Sequence, residues 1–586
     1  MPKKQSLADH LTDKQSLELL AQHEVIRDPV HGDISITALE RAIIDTEAFQ
    51  RLRGLKQLGP TYLVYPGAVH TRFQHSIGTL HFTDTLVQII NQNHANYHHN
   101  ALLRVEPYPH LLARLVALLH DAAHIPFGHT IEDEGNILSP EWADQKRVEK
   151  WLGQDQEIPN KIVKHLSNLG IEKKAIKSLI SDVKSYVAFE GDQMALDFPY
   201  VYEVVSNTLC ADLLDYIIRD MFFCGLPERS GDRVIRYLAI VKVQDDEEQL
   251  PLIPIKGRVV LLAYRFEPGH IGIGKPKLVR KPNIISEAID LLRRRFSLAE
   301  KVYFHRTKIA ASAMLISAVQ EASFPMSNIY DDSDEGLIRK LLSDKNPRVH
   351  NLAEAFTNRR LYKPIYTLNY RKEKDTDHES IHFWQQVYPT CRSSNWRKEQ
   401  ERYIEQIYDF RPGSVAIYCP ERKMNLKRFE MLVQSDPDSE VKQLEEILDD
   451  TRKEEMRAIS ERYQELWKMT IFIDPADLDV EKTTQRVLDV SRLCEDIVGI
   501  PNDIGHLRGK GRSVREQIAS RVVEEYQTSH NQDVQYDTFQ ELVYHESRNP
   551  SENPIEDMKR YLENLMASPD DKQNDSTKTG KNDLGD

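Results

Sequence analysis

The sequence predicts a mostly α-helical fold with small β excursions and an α/β C-terminal region. Apolar residues recur at helical spacing through 38–56, 75–92, 109–121 and 203–223. Strand-like alternation is confined to short stretches: VIRDPVHGDISIT at 25–37, LPLIPIKGRVVLLAYRF at 250–266, SVAIYC at 414–419 and MTIFID at 469–474. Hydrophobic residues make up 40% of the 586 and charged residues 29%, the balance of a soluble globular protein rather than a disordered chain.

Taken in order, residues 1–20 form an N-terminal segment and 21–40 a strand-and-turn region. Residues 38–56 read as one helix, which TYLVYPGAV breaks. A long helix follows from about 75 to 92, and a strongly apolar one over 109–121 ends in His120-Asp121. Residues 203–223 are apolar almost throughout, so this helix is expected to be buried. After 240 the character changes. QDDEEQ is an acidic turn, the strand-like run follows, and GHIGIGKPK is a Gly-rich loop. Helices resume over 284–320, and 324–350 is polar and loop-rich. The charged stretch 439–467 has apolar residues at 441, 444, 448, 456, 459, 463 and 466, the pattern of a long amphipathic helix with a face for a partner helix. Residues 480–498 read as a helix, and the last twenty or so as a disordered tail. The expected organisation is a core over 21–240, a strand insertion and second helical part of the core over 241–345, a C-terminal region over 346–565, and a tail over 566–586.

Composition excludes several classes. The apolar runs are too short to span a bilayer, and the N-terminus has no apolar signal region. Five widely spaced cysteines with no C-x-x-C pair read as reduced thiols of a cytoplasmic protein. A net charge of −14 argues against a broad nucleic-acid-binding surface. One stretch runs the other way: between Lys275 and Lys308 ten Lys/Arg face three acids. It reads either as a solvated helix face or as a phosphate-binding wall.

The chemistry concentrates in His75, His120, Asp121, His124, His129 and Asp212. His120 and His124 share a helix face if the helix continues past 121. Imidazoles and carboxylates are the donors that a borderline divalent metal prefers. A His-Asp pair at the end of a Leu/Val-rich helix needs partners for its polar groups, and a metal would supply one. Each residue alone has an ordinary reading. A His-Asp dipeptide occurs by chance in long chains, and Asp212 could instead pair with Arg219.

R-F-Q-H (72–75), H-D-A-A-H-I-P-F-G-H (120–129) and D-L-L-D-Y-I-I-R-D (212–220) together resemble the HD superfamily of phosphohydrolases. They are most similar to the branch of deoxynucleoside triphosphate (dNTP) triphosphohydrolases that includes the vertebrate SAM-and-HD-domain enzyme. DPVHG (28–32), IIDTEAFQRLRGLKQLG (43–59) and YPGAVHTRFQHSIG (65–78) agree with it. The resemblance covers 24–130 closely, 200–225 well and 290–310 more loosely; no SAM module precedes it. It implies an HD-domain phosphohydrolase fold and four metal ligands, His75, His120, Asp121 and Asp212. It places Arg72 on the substrate phosphates, and Gln57, Leu58, Tyr216, Asp220 and Tyr303 around the deoxyribose. His124 and His129 match supporting and catalytic histidines, and Glu132 matches a carboxylate orienting His129. A further catalytic histidine, about eighteen residues after His129 in the family, has no counterpart here; the aligned place is read as Asp144, so either Asp144 does a related proton-transfer job as a catalytic residue, or another group does, or catalysis is weak.

The resemblance also implies a separate nucleotide site at a subunit interface. Asp45, Gln50 and Arg53 match its base-reading residues, with Val25, His305 and Arg306 around them, while Glu24 stands where the family has lysine. The expected reaction is dNTP plus water giving a deoxynucleoside and inorganic triphosphate. Fe, Mn, Zn or Ni would sit at the HD site and Mg²⁺ on the phosphates, in a nucleotide-activated homo-oligomer. Nucleotide-pool control and antiviral or phage defence are both compatible with this. The alternatives are an HD phosphodiesterase or nuclease on oligonucleotides, and a catalytically weak nucleotide sensor.

Overall fold

The computed structural model describes residues 10–97, 102–138, 144–226, 233–242, 257–267, 277–372, 378–422, 431–478, 483–548 and 554–566. The acidic turn, most of the Gly-rich loop and the tail after 566 lie outside the described residues. The chain divides into two compact units, Met1–Leu361 with Tyr418–Lys468, and Tyr362–Ile417 with Met469–Asp586. The mostly helical expectation holds.

The first unit opens with the helix Asp13–Leu19 and an antiparallel hairpin, Gln22–Asp28 with Gly32–Thr37. D-P-V-H-G makes its turn. Asp28 Oδ1 accepts the N–H groups of Val30 and His31, both at 2.9 Å, and Gly32 takes φ +79°. The segment read as one helix over 38–56 is three pieces: Ala38–Ile44, Glu47–Gln50 and a 3-10 turn Arg51–Gly54. The break is a local signal, because Thr46 Oγ1 caps a new helix by accepting Phe49 N–H at 3.2 Å.

At the centre lies the helix Arg72–Tyr97. Against it pack Pro107–Leu119 and Ala211–Phe223. Every residue of Pro107–Leu119 except His110 is buried, and each of its core leucines contributes about 1.5–3 kcal/mol by leaving water. Gly78 is what lets Arg72–Tyr97 and Ala211–Phe223 approach: a Cβ there would lie 1.8 Å from Asp215 Oδ1. The helix expected over 203–223 is two, Pro199–Ser206 and Ala211–Phe223, because Cys210 Sγ caps the second by accepting Leu213 N–H.

Three helices, Asp144–Leu152, Glu157–Asn168 and Lys173–Val187, fill a stretch that the sequence reading left unassigned. Later come Asn283–Leu298, a π turn Ala299–Tyr303 and Arg306–Gln320. The expected loop over 324–350 contains Asp334–Leu342, capped by Ser333, and the start of Pro347–Thr357, capped by Asn346. The expected helix over 439–467 is shorter, Asp450–Gln464, restarted by its cap Asp449. It lies against Asn283–Leu298 of its own unit, with Arg462 over the Phe296 ring at 4.7 Å. A five-stranded sheet completes the unit: Lys442–Gln443, Leu432–Gln434, Gly257–Leu262, Leu238–Lys242, Leu102–Leu103.

The second unit has a three-stranded sheet in which Lys468–Ile473 lies between Lys363–Asn369 and Val415–Tyr418. Its helices include Ser394–Tyr408, Thr483–Val498 and Val514–His530. All five cysteines are buried, and none forms a disulfide. No helix among the described residues is long and apolar enough to cross a membrane.

Candidate active site

Three segments bring the four expected metal ligands together. His75 stands in the first turn of Arg72–Tyr97, His120 and Asp121 follow the end of Pro107–Leu119, and Asp212 lies in the first turn of Ala211–Phe223. Donor atoms of His75, His120 and Asp121 lie within 4.8 Å of one another. Asp212 Oδ1 is 3.0 Å from His75 Nε2 and 3.9 Å from His120 Nε2.

The donor chemistry fits a cation. His75 Nδ1–H donates to Asp215 Oδ2 at 2.7 Å, and His120 Nδ1–H donates to the Ala117 carbonyl at 2.7 Å. When neutral, both rings therefore turn their Nε2 lone pairs inward. Those two nitrogens are 3.3 Å apart, among carboxylate oxygens. Lone pairs and anions so placed repel unless a positive charge sits between them. Without one, a proton does the work: burial opposes it, but bonds to Asp212 and Asp215 and the charges of Asp215 and Asp121 push the His75 pKa up to about 10.

Asp215 is the hub behind the ligands. It is fully buried, and its Oδ1 accepts His31 Nε2–H at 2.6 Å. The Arg219 guanidinium donates to both its oxygens and, through Nη1, to Asp28 at 2.9 Å. Despite burial, the Arg219 charge and the His31 and His75 bonds hold the Asp215 carboxyl well below the usual carboxylate range. Arg219 thus pairs with Asp215 and Asp28, leaving Asp212 to the histidines. His31 and Asp215 were not singled out from sequence, although the i, i+4 spacing of Asp215 and Arg219 was a usable signal.

Beyond Asp121 the chain does not continue as helix. Pro107–Leu119 has ended, so His124 does not join His120 as a ligand on a shared face. Its Nε2 meets Asp121 Oδ1 at 3.1 Å instead, and its Nδ1 meets Glu132 Oε2 at 2.6 Å. Burial and Arg72 work against its charge, but Glu132 and Asp121 outweigh them and push its pKa up to about 9. Glu132 was expected to orient His129. The π turn Thr130–Glu134 carries it to His124, and Asp133 bonds His129 Nδ1 at 2.6 Å. The two imidazoles sit 5.0 Å apart, edge to face. Asp144 opens Asp144–Leu152, but its side chain lies outside the described residues. Eighteen residues after His129 stands Arg147, buried, with Nη2 3.8 Å from Glu132.

Arg72 is 1% exposed and donates through Nη1 to Asp121 Oδ2 at 2.7 Å. Gly128 makes room for it: φ is +41°, and a Cβ would lie 2.3 Å from Arg72 Nη2. Arg72, His75, Asp121, His124, His129 and Asp212 line a cavity of about 560 Å³. The same cavity is lined by Gln57, Leu58, Tyr216, Asp220 and Tyr303, so the residues assigned to the sugar do meet there. Tyr303 Oη–H donates to Asp220 Oδ2 at 2.6 Å, and His70 Nε2–H donates to Asp220 Oδ1 at 2.8 Å. Four polar atoms of the lining are buried with no partner among the described residues: Gln57 Oε1, Thr61 Oγ1, Arg72 Nε and Arg295 Nη1. Such atoms are costly unless something else satisfies them.

The basic stretch is not a continuous wall. Arg280 pairs with Asp436, Arg293 with Asp290 and Glu455, and the buried Lys308 with Glu134. Of the ten cations, Arg295 and Lys308 line the cavity. Lys275 and the Lys277 side chain lie outside the described residues.

The residues matched to a second nucleotide site form two groups. Arg53 Nε donates to Gln50 Oε1 at 2.7 Å, and Asp45 caps the end of Ala38–Ile44. His305 caps the start of Arg306–Gln320, and Val25 is exposed on the hairpin. No hydrogen bond or ion pair among the described residues joins Asp45, Gln50 or Arg53 to His305 or Arg306. Glu24 is paired with Arg41, which offsets the charge it would present to a phosphate.

Residues 273–496 match the model of the HD-associated region. An uncharacterized protein of Methanocaldococcus jannaschii is 30% identical over 351 residues, 59% of this chain and 60% of that protein. The deoxynucleoside triphosphate triphosphohydrolase SAMHD1 homolog of Dictyostelium discoideum is 25% identical over 58% of this chain and 59% of its own length. SAMHD1 of Danio rerio is 25% identical over 64% and 60%. The chain thus spans about 60% of the length of these relatives. Among solved structures, a phosphohydrolase from Bacteroides thetaiotaomicron matches with a TM-score of 0.51 at 19% identity, over 77% of this chain and 100% of that one. The resemblance to HD-domain, dNTPase-like proteins is therefore carried by sequence well beyond the motifs, and the fold is shared with the Bacteroides protein.

Proposed function

We propose that this protein is a metal-dependent phosphohydrolase that cleaves dNTPs to deoxynucleoside and inorganic triphosphate. One observation carries the reading. A single cavity of about 560 Å³ is lined by His75, Asp121 and Asp212 of the ligand cluster and by Tyr303 and Asp220 of the Tyr303–Asp220–His70 chain, and its lining holds four unsatisfied polar atoms. Its volume is in the range of small-molecule sites, about 300–1,000 Å³, and suits a mononucleotide better than a polymer.

The two histidines and two aspartates would hold a divalent ion, with Fe, Mn, Zn and Ni compatible with mixed nitrogen and oxygen donors. Bound there, the ion supplies positive charge at the phosphoryl oxygens and lowers the pKa of water it holds. Arg72 and Arg295 bind the triphosphate, with Mg²⁺ as its counter-ion. Water oxygen bonds to the α-phosphorus as the bond to the 5′-oxygen breaks, and the 5′-oxygen takes a proton. His124, bonded to Glu132 and Asp121, and His129, held by Asp133, are the groups at hand to give it. Neither requires Asp144, so Asp144→Ala should leave most of the rate. His129→Ala should lower kcat by about 10²–10⁴-fold, the usual range for a general acid.

The test is product analysis. Purified protein is incubated with each dNTP, singly and mixed, with Mg²⁺ or Mn²⁺, and with labelled single-stranded DNA. Deoxynucleoside and triphosphate are expected from dNTPs and nothing from DNA. Release of pyrophosphate or mononucleotides, or inertness toward every dNTP, overturns the reading. A rise in the rate on one dNTP when a second nucleotide is added would support activation through Asp45, Gln50 and Arg53. Arg53→Ala should then remove the rise and leave metal bound.

Sugar choice follows from Tyr303. Its hydroxyl is fixed by Asp220, which His70 fixes in turn, so the ring cannot swing away from an added 2′-hydroxyl. Wild-type protein should cleave dATP well and ATP poorly. Tyr303→Ala should narrow that ratio by about 10-fold or more. Equal rates on ATP and dATP in the wild type would remove the assignment.

A further inference from the structure

Asp334 stands at the start of the helix Asp334–Leu342, far in sequence from every motif named above. Its side chain is 1% exposed. One oxygen, Oδ2, accepts the backbone N–H of Lys56 at 2.8 Å, and the other, Oδ1, accepts that of Phe127 at 2.8 Å. Each donor sits in or beside the cavity wall. Lys56 directly precedes the lining residues Gln57 and Leu58, and Phe127 is itself in the lining, two residues before His129.

The contact is built from both sides. Gly54 admits it, because a Cβ there would lie 2.7 Å from the Cβ of Ser333, next to Asp334. Phe127 holds φ +59°, a conformation that bulky residues rarely adopt and that persists only when the surroundings impose it. Asp334 takes its N–H, and the Phe356 ring meets its ring edge to face at 6.0 Å. The next residue, Gly128, packs on the Arg72 guanidinium.

We propose that Asp334 is a positioning residue of the cavity: its two carboxylate oxygens tie the loop of Gln57 and Leu58 to the loop of Phe127, Gly128 and His129, and so fix the wall that meets the sugar against the wall that carries Arg72 and the proton-transfer histidine. The clamp stands on geometry alone; its effect on dNTP turnover rests on the function proposed above.

Its electrostatics point away from a purely structural role. Burial pushes the Asp334 carboxyl up to about 6, against the two backbone bonds and the Lys56 ammonium at 3.8 Å. The neighbouring charge of Glu335 adds to the rise, and Tyr62 and Arg51 also feel the carboxylate. A carboxyl raised in the folded state contributes stability that is full below its ordinary pKa and is lost as pH rises through about 6. At neutral pH the ionised group is thus a cost that the fold carries.

Asp334→Asn keeps the shape, removes the charge, and can accept only one of the two N–H groups. The expected result is an unfolding midpoint equal to or above that of the wild type and unchanged metal content. Amide hydrogen exchange should be at least about 10-fold faster at Lys56 or Phe127, with kcat on a dNTP lower by about 10–100-fold. Asp334→Ala should free both amides. The proposal is overturned if Asp334→Asn fails to fold, if its activity falls only in step with its stability, or if exchange and kcat both stay at wild-type values. Wild-type protein that cleaves no dNTP would sink the proposed function, and the exchange measurement would still decide the clamp.

Discussion

His120→Ala should yield a folded protein that binds less metal and turns over no nucleotide. A metal's stabilisation of a phosphoryl transition state amounts to several kcal/mol, so the loss should be about 10³-fold or more. Asp121→Ala should be equally inactive but less stable, because Asp121 also faces the buried Arg72 guanidinium at 2.7 Å. Removing it leaves that charge without its bonded counter-ion, a loss of about 3–5 kcal/mol in comparable buried pairs. The two variants therefore separate ligation from folding. Metal analysis and urea unfolding in chelator should show equal metal loss and unequal stability. A His120→Ala, Asp121→Ala double variant cleaving dNTPs at the wild-type rate would mean the site lies elsewhere.

Asp215→Ala should be the most destabilising change in the site. It strips one partner from each of His31, His75 and Arg219, all within the core. Arg219 keeps Asp28, so the expected cost is that of breaking a buried ion pair, about 3–5 kcal/mol of unfolding free energy. Because the folded-state pKa of Asp215 lies below its ordinary value, its contribution is present above the ordinary carboxylate range and fades as pH falls below it. The deficit of the variant should accordingly be full at neutral pH and shrink in acid. Gly78→Ala offers an independent probe, since its new methyl group would collide with the same carboxylate without altering any charge. A near-wild-type urea midpoint for Asp215→Ala at pH 7 would show that the network is not what holds His75.

The clustering of His75, His120, Asp121 and Asp212 was legible in sequence because H-D and its partner motifs keep residue type and spacing together. The cavity lining was legible through the same resemblance: Gln57, Leu58, Tyr216, Asp220 and Tyr303 all reach it. What sequence hid was partnership. Glu132 and Asp133 are adjacent, and only the π turn decides that the first serves His124 and the second His129. Asp334 could not be read at all, since its partners are backbone N–H groups that any residue supplies. Helix ends failed where a small cap, such as Thr46, Cys210 or Asp449, outweighed an apolar rhythm that runs on past it.

The four proposed ligands come from three separate stretches of chain, and that has a consequence for how the protein lives. A cation gripped by His75, His120, Asp121 and Asp212 staples the span from 75 to 120 and the span from 121 to 212 at one point. Only the folded chain presents all four, so each tenfold excess of free metal over its dissociation constant adds about 1.4 kcal/mol to folding. On the proposed function, metal supply would then set lifetime as well as rate. Chains made in a metal-starved cell would open more often and meet proteases sooner, and the amount of enzyme would track the ion even where its activity is never assayed.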